Sequence, residues 1–346
     1  MADHPTRAGP RPAKPDGSPI NVFPTTPPAD LDEGTVGMSE VAVLIPYFNP
    51  VGYRSHLRKF QQCRSGLAAA GMLSDSFLTG AGPQRPTGME VAFWDRSCPF
   101  MWHRERLVNL AARELPRRYS HVVWLDSDVI VDTGWKHAVR AAFEESEVIQ
   151  AFRTAHMIDD TGSVVRSRPS LLTPGANGGA VGIGWGACRS LFTDGPGLFE
   201  LGLVGGADTV FAKAIVDDAE CAAPWLKDIR STVFSHWSAP LVDAVDAWLL
   251  EGARWRGEYA AVAADAEVRV VEHGAQENRH YTSRHHLLGG LDPAVHLLVR
   301  PGRVFRWTPA GLAAVEGSIR SYFHARCEDG PSGRPISGNR TATNSR

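Results

Sequence analysis

The sequence predicts an α/β fold: a mostly parallel, mixed sheet flanked by helices on both faces. Three observations predict it. Short apolar runs such as Val41–Ile45 and Val122–Leu125 are continuous rather than alternating, as in strands covered on both faces. Segments of helical period separate them. The first run ends at Pro46 in a loop over residues 47 to 50, and the other ends in the carboxylates of Asp126-Ser127-Asp128. In open α/β sheets the crevice beyond the strands' carboxyl ends is where ligands bind.

The elements follow in order. Val41–Ile45 is the first strand, ended by Pro46, and residues 47 to 50 form a loop. A helix is expected over 53–72, with Leu57, Phe60, Leu67 and Ala70 on its apolar face. Residues 79–88, rich in Gly and Pro, are expected as a loop. Val91–Trp94 is the second strand, ending in Asp95. A helix over 102–115 carries Leu107, Leu110 and Ala111 and is closed by Pro116. The strand into Asp126 comes next, then a helix over 135–146 and a strand over 148–156. The second half is less regular. Pro174 to Gly186 is Gly-rich, which suits close approach to a ligand or sharp turns. A helix begins near Asp208, another spans 243–258, and a late strand, Val268–Val271, leads into Glu272, His273 and Gly274.

Composition sets the limits. The 346 residues are 43% hydrophobic, enough for a sizeable core, and the formal net charge is −2, so there is no basic excess pointing to nucleic acid or an anionic membrane. Five scattered cysteines, with no Cys-x-x-Cys pair, argue against a zinc site or a disulfide framework and favour a reducing cytoplasm. No apolar run reaches the roughly 18 residues of a membrane span. The Pro-rich start, Met1 to Gly17, has no signal-peptide core. Three regions are expected: a disordered arm over 1–38, a single catalytic domain over 39–327 (39–157 and 158–327 as its two halves), and a disordered tail over 328–346.

Asp126 and Asp128 lie two apart, so an extended chain points both to one side. Their repulsion asks for compensation, and a divalent cation with oxygen ligands supplies it. The plainer alternative is a turn in which Asp and Ser bond to nearby backbone.

Four stretches taken together resemble nucleotide-sugar glycosyltransferases of the GT-A fold, bacterial family 2-like and galactosyltransferase C-terminal-domain-like. They are Val41-Ala-Val-Leu-Ile-Pro-Tyr-Phe-Asn; Trp102-His-Arg-Glu-Arg-Leu through Val123-Trp-Leu-Asp-Ser-Asp; Gly182-Ile-Gly-Trp-Gly through Gly205-Gly-Ala-Asp; and Glu272-His-Gly through Arg279-His-Tyr-Thr-Ser-Arg. The resemblance runs from about residue 41 to 307. It implies transfer of a sugar from a nucleotide-sugar donor, with a UDP-sugar first in line, to a hydroxyl of a small-molecule, glycan or peptide acceptor. It implies Mn²⁺ or Mg²⁺ on Asp128, Asp126 and His273, with Asp126 also near the ribose. It implies Asp208 as the base, in a Gly-Gly-Ala-Asp where the family has Gly-Gly-Glu-Asp. One base with no second nucleophilic carboxylate points to a single displacement with inversion. On the donor side Pro46, Tyr47, Asn49 and Asp95 would line the nucleotide pocket. Arg106 and Asn109, three apart on a helix, would point at the nucleotide or at Asp126. Trp185 would stack on a sugar face, and Arg279 would pair with the diphosphate. Bland alternatives stand beside several of these: a turn residue for Asp95, a helix cap for Asp208, a surface or capping histidine for His273, a core tryptophan for Trp185, a solvated pair for Arg106 and Asn109.

Three other functions compete. A sugar-phosphate nucleotidyltransferase usually has a Gly-rich loop with Arg and Lys after the first strand, which Tyr47-Phe-Asn-Pro-Val-Gly-Tyr-Arg is not. A metal-dependent hydrolase would use the thirteen histidines, which form no His-x-His. A non-catalytic nucleotide-sugar or glycan binding protein differs from the leading reading only in turnover.

Overall fold

The computed structural model describes residues 40–173, 178–216, 226, 228–256, 260–272 and 274–330. The expected arm over 1–38, His273 and residues 331–346 lie outside the described residues.

In chain order the elements are β1 (Glu40–Phe48), α1 (Arg54–Ala69), β2 (Ser76–Ala81), β3 (Glu90–Asp95), α2 (Arg104–Glu114), β4 (Tyr119–Leu125), β5 (Val129–Ile130), α3 (Trp135–Glu145), β6 (Val148–Gln150), β7 (Thr154–Ile158) and β8 (Val164–Pro169). Then follow β9 (Gly184–Cys188), α4 (Ser190–Thr193), α5 (Ala207–Ile215), α6 (Ile229–Thr232), α7 (Ala239–Arg256), β10 (Val262–Ala263), β11 (Glu267–Val271), α8 (Pro293–His296), β12 (Leu297–Leu298), β13 (Arg306–Trp307), α9 (Pro309–Gly311) and α10 (Gly317–Ala325).

The central sheet has the order β10-β6-β9-β4-β1-β2-β3. Its pairs are parallel except where β9 runs antiparallel between β4 and β6. This is the mostly parallel mixed sheet that the resemblance implies. Alternation along β1 and β4 builds a core on each face. Ala42, Leu44, Val122 and Trp124 pack with α2 and α5 on one side. Val41, Val43, Ile45, Val123 and Leu125 pack with α1 and α3 on the other. A second sheet, β5-β11-β7-β8, stands at the carboxyl end of β4. The turn from β4 into β5 carries Asp126, Ser127 and Asp128, so it joins the two sheets.

Several expectations need correction. β1 continues through Pro46 to Phe48, because β4 leaves it after Leu44 and only β2 remains alongside; proline is tolerated where one side of a strand is open. Residues 79–81, expected in a loop, belong to β2, which is buried along its length. The glycine there carries the packing: a Cβ on Gly80 would lie 2.3 Å from the Trp94 ring. The expected strand over 148–156 is two strands, β6 in the central sheet and β7 in the second. Gly184 and Gly186, expected to serve close approach to a ligand or sharp turns, sit inside β9, in the middle of the sheet. On α1, Leu57 is exposed, whereas Lys59 is buried beside Phe60, Cys63 and Leu67. Glu328 is not the start of a solvated tail: its side chain is 2% exposed and pairs with His56 and with Arg326, the latter at 2.5 Å. Among the described residues no helix is long and apolar enough to cross a membrane.

Candidate active site

The cleft lies where the strands' carboxyl ends meet the second sheet. It has two lobes, with volumes of about 310 and 120 Å³. Trp102, Arg104, Asp126, Asp128, Arg279 and Arg326 line both.

Asp126 and Asp128 do reach one place, though not through an extended chain. Val129 N–H donates to the Asp126 carbonyl at 3.1 Å, which closes a turn over 126–129. Backbone bonds pin the turn: Asp126 N–H donates to the Ile183 carbonyl at 2.9 Å, and Val271 N–H donates to the Asp128 carbonyl at 3.0 Å. Arg104, from the first turn of α2, donates through Nη1 to Asp126 Oδ1 at 3.0 Å and pairs through Nε with Glu105 at 3.0 Å. Burial, opposed by Arg104 and helped by the facing Asp128 and Asp208, pushes the Asp126 carboxyl up to about 6. Burial also raises Asp128, against the pull of Lys59 and Arg279. Burial brings the Lys59 ammonium down to about 8, with Asp128 opposing. Glu105 is pushed up to about 7 by burial, against Arg104.

Two carboxylates confined in one turn and held above their ordinary pKa suit a small, hard cation with oxygen ligands. Among the described residues no three His, Cys, Asp or Glu side chains gather as a metal-ligating group. Position 273, the proposed third ligand, lies outside those residues.

Asp208 lines the larger lobe from the first turn of α5. It is not the helix N-cap; that position is Gly206, whose φ of 95° admits only glycine comfortably. A side chain on Gly206 would also strike His285, 2.7 Å away. Asp208 Oδ1 accepts the Thr209 N–H at 2.9 Å. Its Oδ2 lies 2.6 Å from where a Cβ on Gly182 would stand, so glycine at 182 makes room for the carboxylate.

Of the residues expected around the nucleotide, Pro46 and Asn49 line the smaller lobe with Phe48, Tyr53 and His56. Tyr47 does not. It is buried on the α1 side, edge-on to Phe60 with ring centroids 5.7 Å apart. Arg279 lines both lobes, and its guanidinium donates to the Tyr281 hydroxyl at 3.0 Å. Four other expected contacts are absent from the cleft. Arg106 pairs with Glu200 at 2.7 Å and donates to the carbonyls of Arg300 and Arg303. Asn109 donates to the Leu198 carbonyl and accepts its N–H, at 2.9 and 2.8 Å. Trp185 is fully buried, with Nε1 donating to the Val181 carbonyl at 2.6 Å. Asp95 is 2% exposed, accepts from Ser97 and from Val304 N–H, and lines a different cavity.

Sequence reasoning missed Arg104, Glu105, Lys59, Arg326 and Glu328. The readable sign for Arg104 was its place in the first turn of a helix that starts at the crevice; Arg106 and Asn109 point back into the core. Glu272, the residue before His273 and itself a candidate to join the site, lines the larger lobe and pairs with Arg166 at 2.8 Å.

No protein-family model matches the chain, and no curated protein does. Solved structures do align with it. S. aureus TarS 1-349 in complex with UDP aligns at 11% identity over 74% of this chain and 68% of that one, with a TM-score of 0.40. A mutant of Drosophila beta1,4-galactosyltransferase 7, in complex with manganese, UDP-Gal and xylobiose, aligns at 13% identity over 50% and 59%, with a TM-score of 0.29. The 4-diphosphocytidyl-2C-methyl-D-erythritol synthase from Anaerococcus prevotii aligns at 8% identity over 72% and 98%, with a TM-score of 0.33. Against another TarS 1-349 structure the chain spans about half the length, 54%. Likenesses this loose identify no family.

Proposed function

We propose that the chain is a glycosyltransferase that moves a sugar from a nucleotide-sugar donor, a UDP-sugar first, to a hydroxyl acceptor by single displacement with inversion. One observation carries the reading: the Asp126/Asp128 turn and the Asp208 carboxylate line one cleft, with Arg104 reaching between them.

Glycosyl transfer develops positive charge at the anomeric carbon and extra negative charge on the departing diphosphate. Arg279 and Arg326, which line both lobes, would hold that diphosphate by charge-assisted hydrogen bonds. Pro46 and Asn49 border the nucleoside in the smaller lobe. Arg104 orients Asp126 through one oxygen and leaves the other for the donor side. Asp208 takes the acceptor's proton as its oxygen attacks. Asp126 and Asp128, joined by His273, would hold a divalent cation; when bound, Mn²⁺ or Mg²⁺ acts as a Lewis acid on the leaving diphosphate.

Asp208→Asn tests the assignment. It should retain donor binding and lose transfer. Normal turnover would leave Asp208 with a structural role only, and loss of donor binding together with transfer would make it part of the donor site rather than the base.

A further inference from the structure

Pro293 to Val315 contains Arg300, Arg303, Arg306 and His296 and no acidic residue. The segment folds on itself. β12 and β13 pair antiparallel, Leu298 opposite Arg306. Thr308 Oγ1 donates to the Val295 carbonyl at 2.8 Å, and a Cβ on Gly311 would stand 2.3 Å from the His296 carbonyl oxygen.

This unit is fixed from below. Val304, Phe305 and Trp307 are buried. The buried Arg106 guanidinium donates to the carbonyls of Arg300 and Arg303 at 3.1 and 3.0 Å. Val304 N–H bonds to Asp95 at 3.4 Å.

Two kinds of side chain remain on the outside. Val295, Leu298, Val299 and Leu312 are exposed at 51, 37, 45 and 56%. Arg300, Arg303 and Arg306 are exposed too, as is Arg96 from the loop after β3. Among the described residues none of the four arginines makes an ion pair. With Trp94 and Leu298 they line a cavity of about 420 Å³. Asp95 borders it; its buried carboxylate accepts from Ser97 and Val304 and feels the charge of Arg303, which leaves Arg96, Arg300 and Arg306 facing no carboxylate among the described residues.

Scattered exposed aliphatics are ordinary, and so are exposed arginines. Four exposed aliphatics and three exposed arginines on one unit, joined by Arg96 from the neighbouring loop, make the pattern of a surface that meets lipid headgroups. A nucleic acid would use the arginines and leave the aliphatics in water. The whole chain carries a formal charge of −2, so the attraction is local rather than a property of the molecule. Composition alone showed no reason to expect it; the fold gathers it.

We propose that this face docks on an anionic lipid surface. A lipid phosphate sits in the arginine-lined cavity, and Val295, Leu298, Val299 and Leu312 enter the boundary between headgroups and acyl chains. The inference does not depend on what the cleft transfers.

The test is co-sedimentation of the full chain with vesicles of phosphatidylcholine, with and without phosphatidylglycerol. Binding should require phosphatidylglycerol and weaken as salt rises. Arg300→Glu with Arg306→Glu should lower partitioning by roughly tenfold or more, since each basic residue near an anionic surface contributes about fivefold. Leu298→Ser with Val299→Ser should weaken vesicle binding yet leave binding to heparin unchanged. Thermal midpoints of both variants should match the parent, because every substituted side chain is exposed. Equal binding to neutral vesicles, or none to anionic ones, would overturn the proposal. So would vesicle binding indifferent to the serine pair, which would assign the face to an acidic soluble macromolecule.

Discussion

Glu328→Gln is the most informative single perturbation of the fold. Glu328 lies where sequence patterning expects a solvated tail, yet its carboxylate is 2% exposed between the nearby Arg326 and the distant His56 of α1. Burial alone would raise its pKa; His56 and Arg326 instead hold it well below the ordinary carboxylate range. Removing one partner of a buried pair costs about 3–5 kcal/mol, because the remaining cation stays buried and uncompensated. At about 2–4 °C per kcal/mol for a domain of this size, the melting temperature should fall by roughly 6–20 °C at neutral pH. The pH dependence has a definite sign. A carboxylate whose folded pKa is depressed contributes stability above its unfolded value and loses it as pH falls through the folded one. The gap between parent and variant should therefore be full at neutral pH and narrow in acid, below about pH 4.5. Scanning calorimetry at several pH values reads both. A shift within about 0.5 kcal/mol, as expected of an exposed tail residue, would refute the reasoning.

Three further outcomes follow. Asp208→Asn should reduce transfer by roughly 10²–10⁴-fold with donor affinity kept, read by turnover and by equilibrium binding. Trp185→Phe should destabilise the fold by about 1–3 kcal/mol, through the lost bond to the Val181 carbonyl, while leaving donor binding unchanged; a selective loss of sugar binding would return Trp185 to the site. Asp126 is raised to about 6, so without metal the native state favours its protonated form and loses stability as pH rises through that value. A cation that binds only the ionised form reverses the trend: stabilisation by Mn²⁺ should grow between about pH 5 and pH 7, and a flat profile would remove Asp126 from the cation site.

Much of the architecture was legible because it rests on local pattern. Apolar runs ending in carboxylates marked β3 and β4, and helical spacing placed α2 and α3. The carboxylates of the cleft were legible as residues at strand ends and at a helix start. What escaped depends on direction and on partners distant in sequence. The resemblance puts Tyr47 in the nucleotide pocket, and with Pro46 read as the strand's end nothing in the sequence says which way Tyr47 points. Once β1 continues to Phe48, alternation sends Pro46 and Phe48 to the cleft side and Tyr47 to α1. Helical spacing put Arg106 and Asn109 on one face correctly but did not say which neighbour that face meets: it meets Glu200 and Leu198, and Arg104 meets Asp126. The glycines around Trp185 suggested close approach to a ligand, whereas β9 needs them to fit the sheet's interior; a Cβ on Gly186 would come within 2.7 Å of Phe143. Lys59 reads as a polar position on an amphipathic helix, and only the fold turns it toward Asp128. Glu328 had no local sign at all, since His56 lies 272 residues away.

The account turns on the Asp126/Asp128 cleft holding a nucleotide sugar. The measurement is a thermal-shift panel of UDP-, GDP-, ADP- and dTDP-sugars with Mn²⁺, Mg²⁺ or EDTA, run on the parent and on Asp128→Asn. A specific donor at about 100 times its dissociation constant should stabilise the parent by about 2.7 kcal/mol with metal present. The account predicts that one nucleotide does so, that EDTA abolishes the shift and that Asp128→Asn does not show it. Stabilisation by a nucleotide sugar that persists in EDTA and in Asp128→Asn would contradict the role given to the carboxylate pair, and no stabilisation by any donor would contradict the central claim itself.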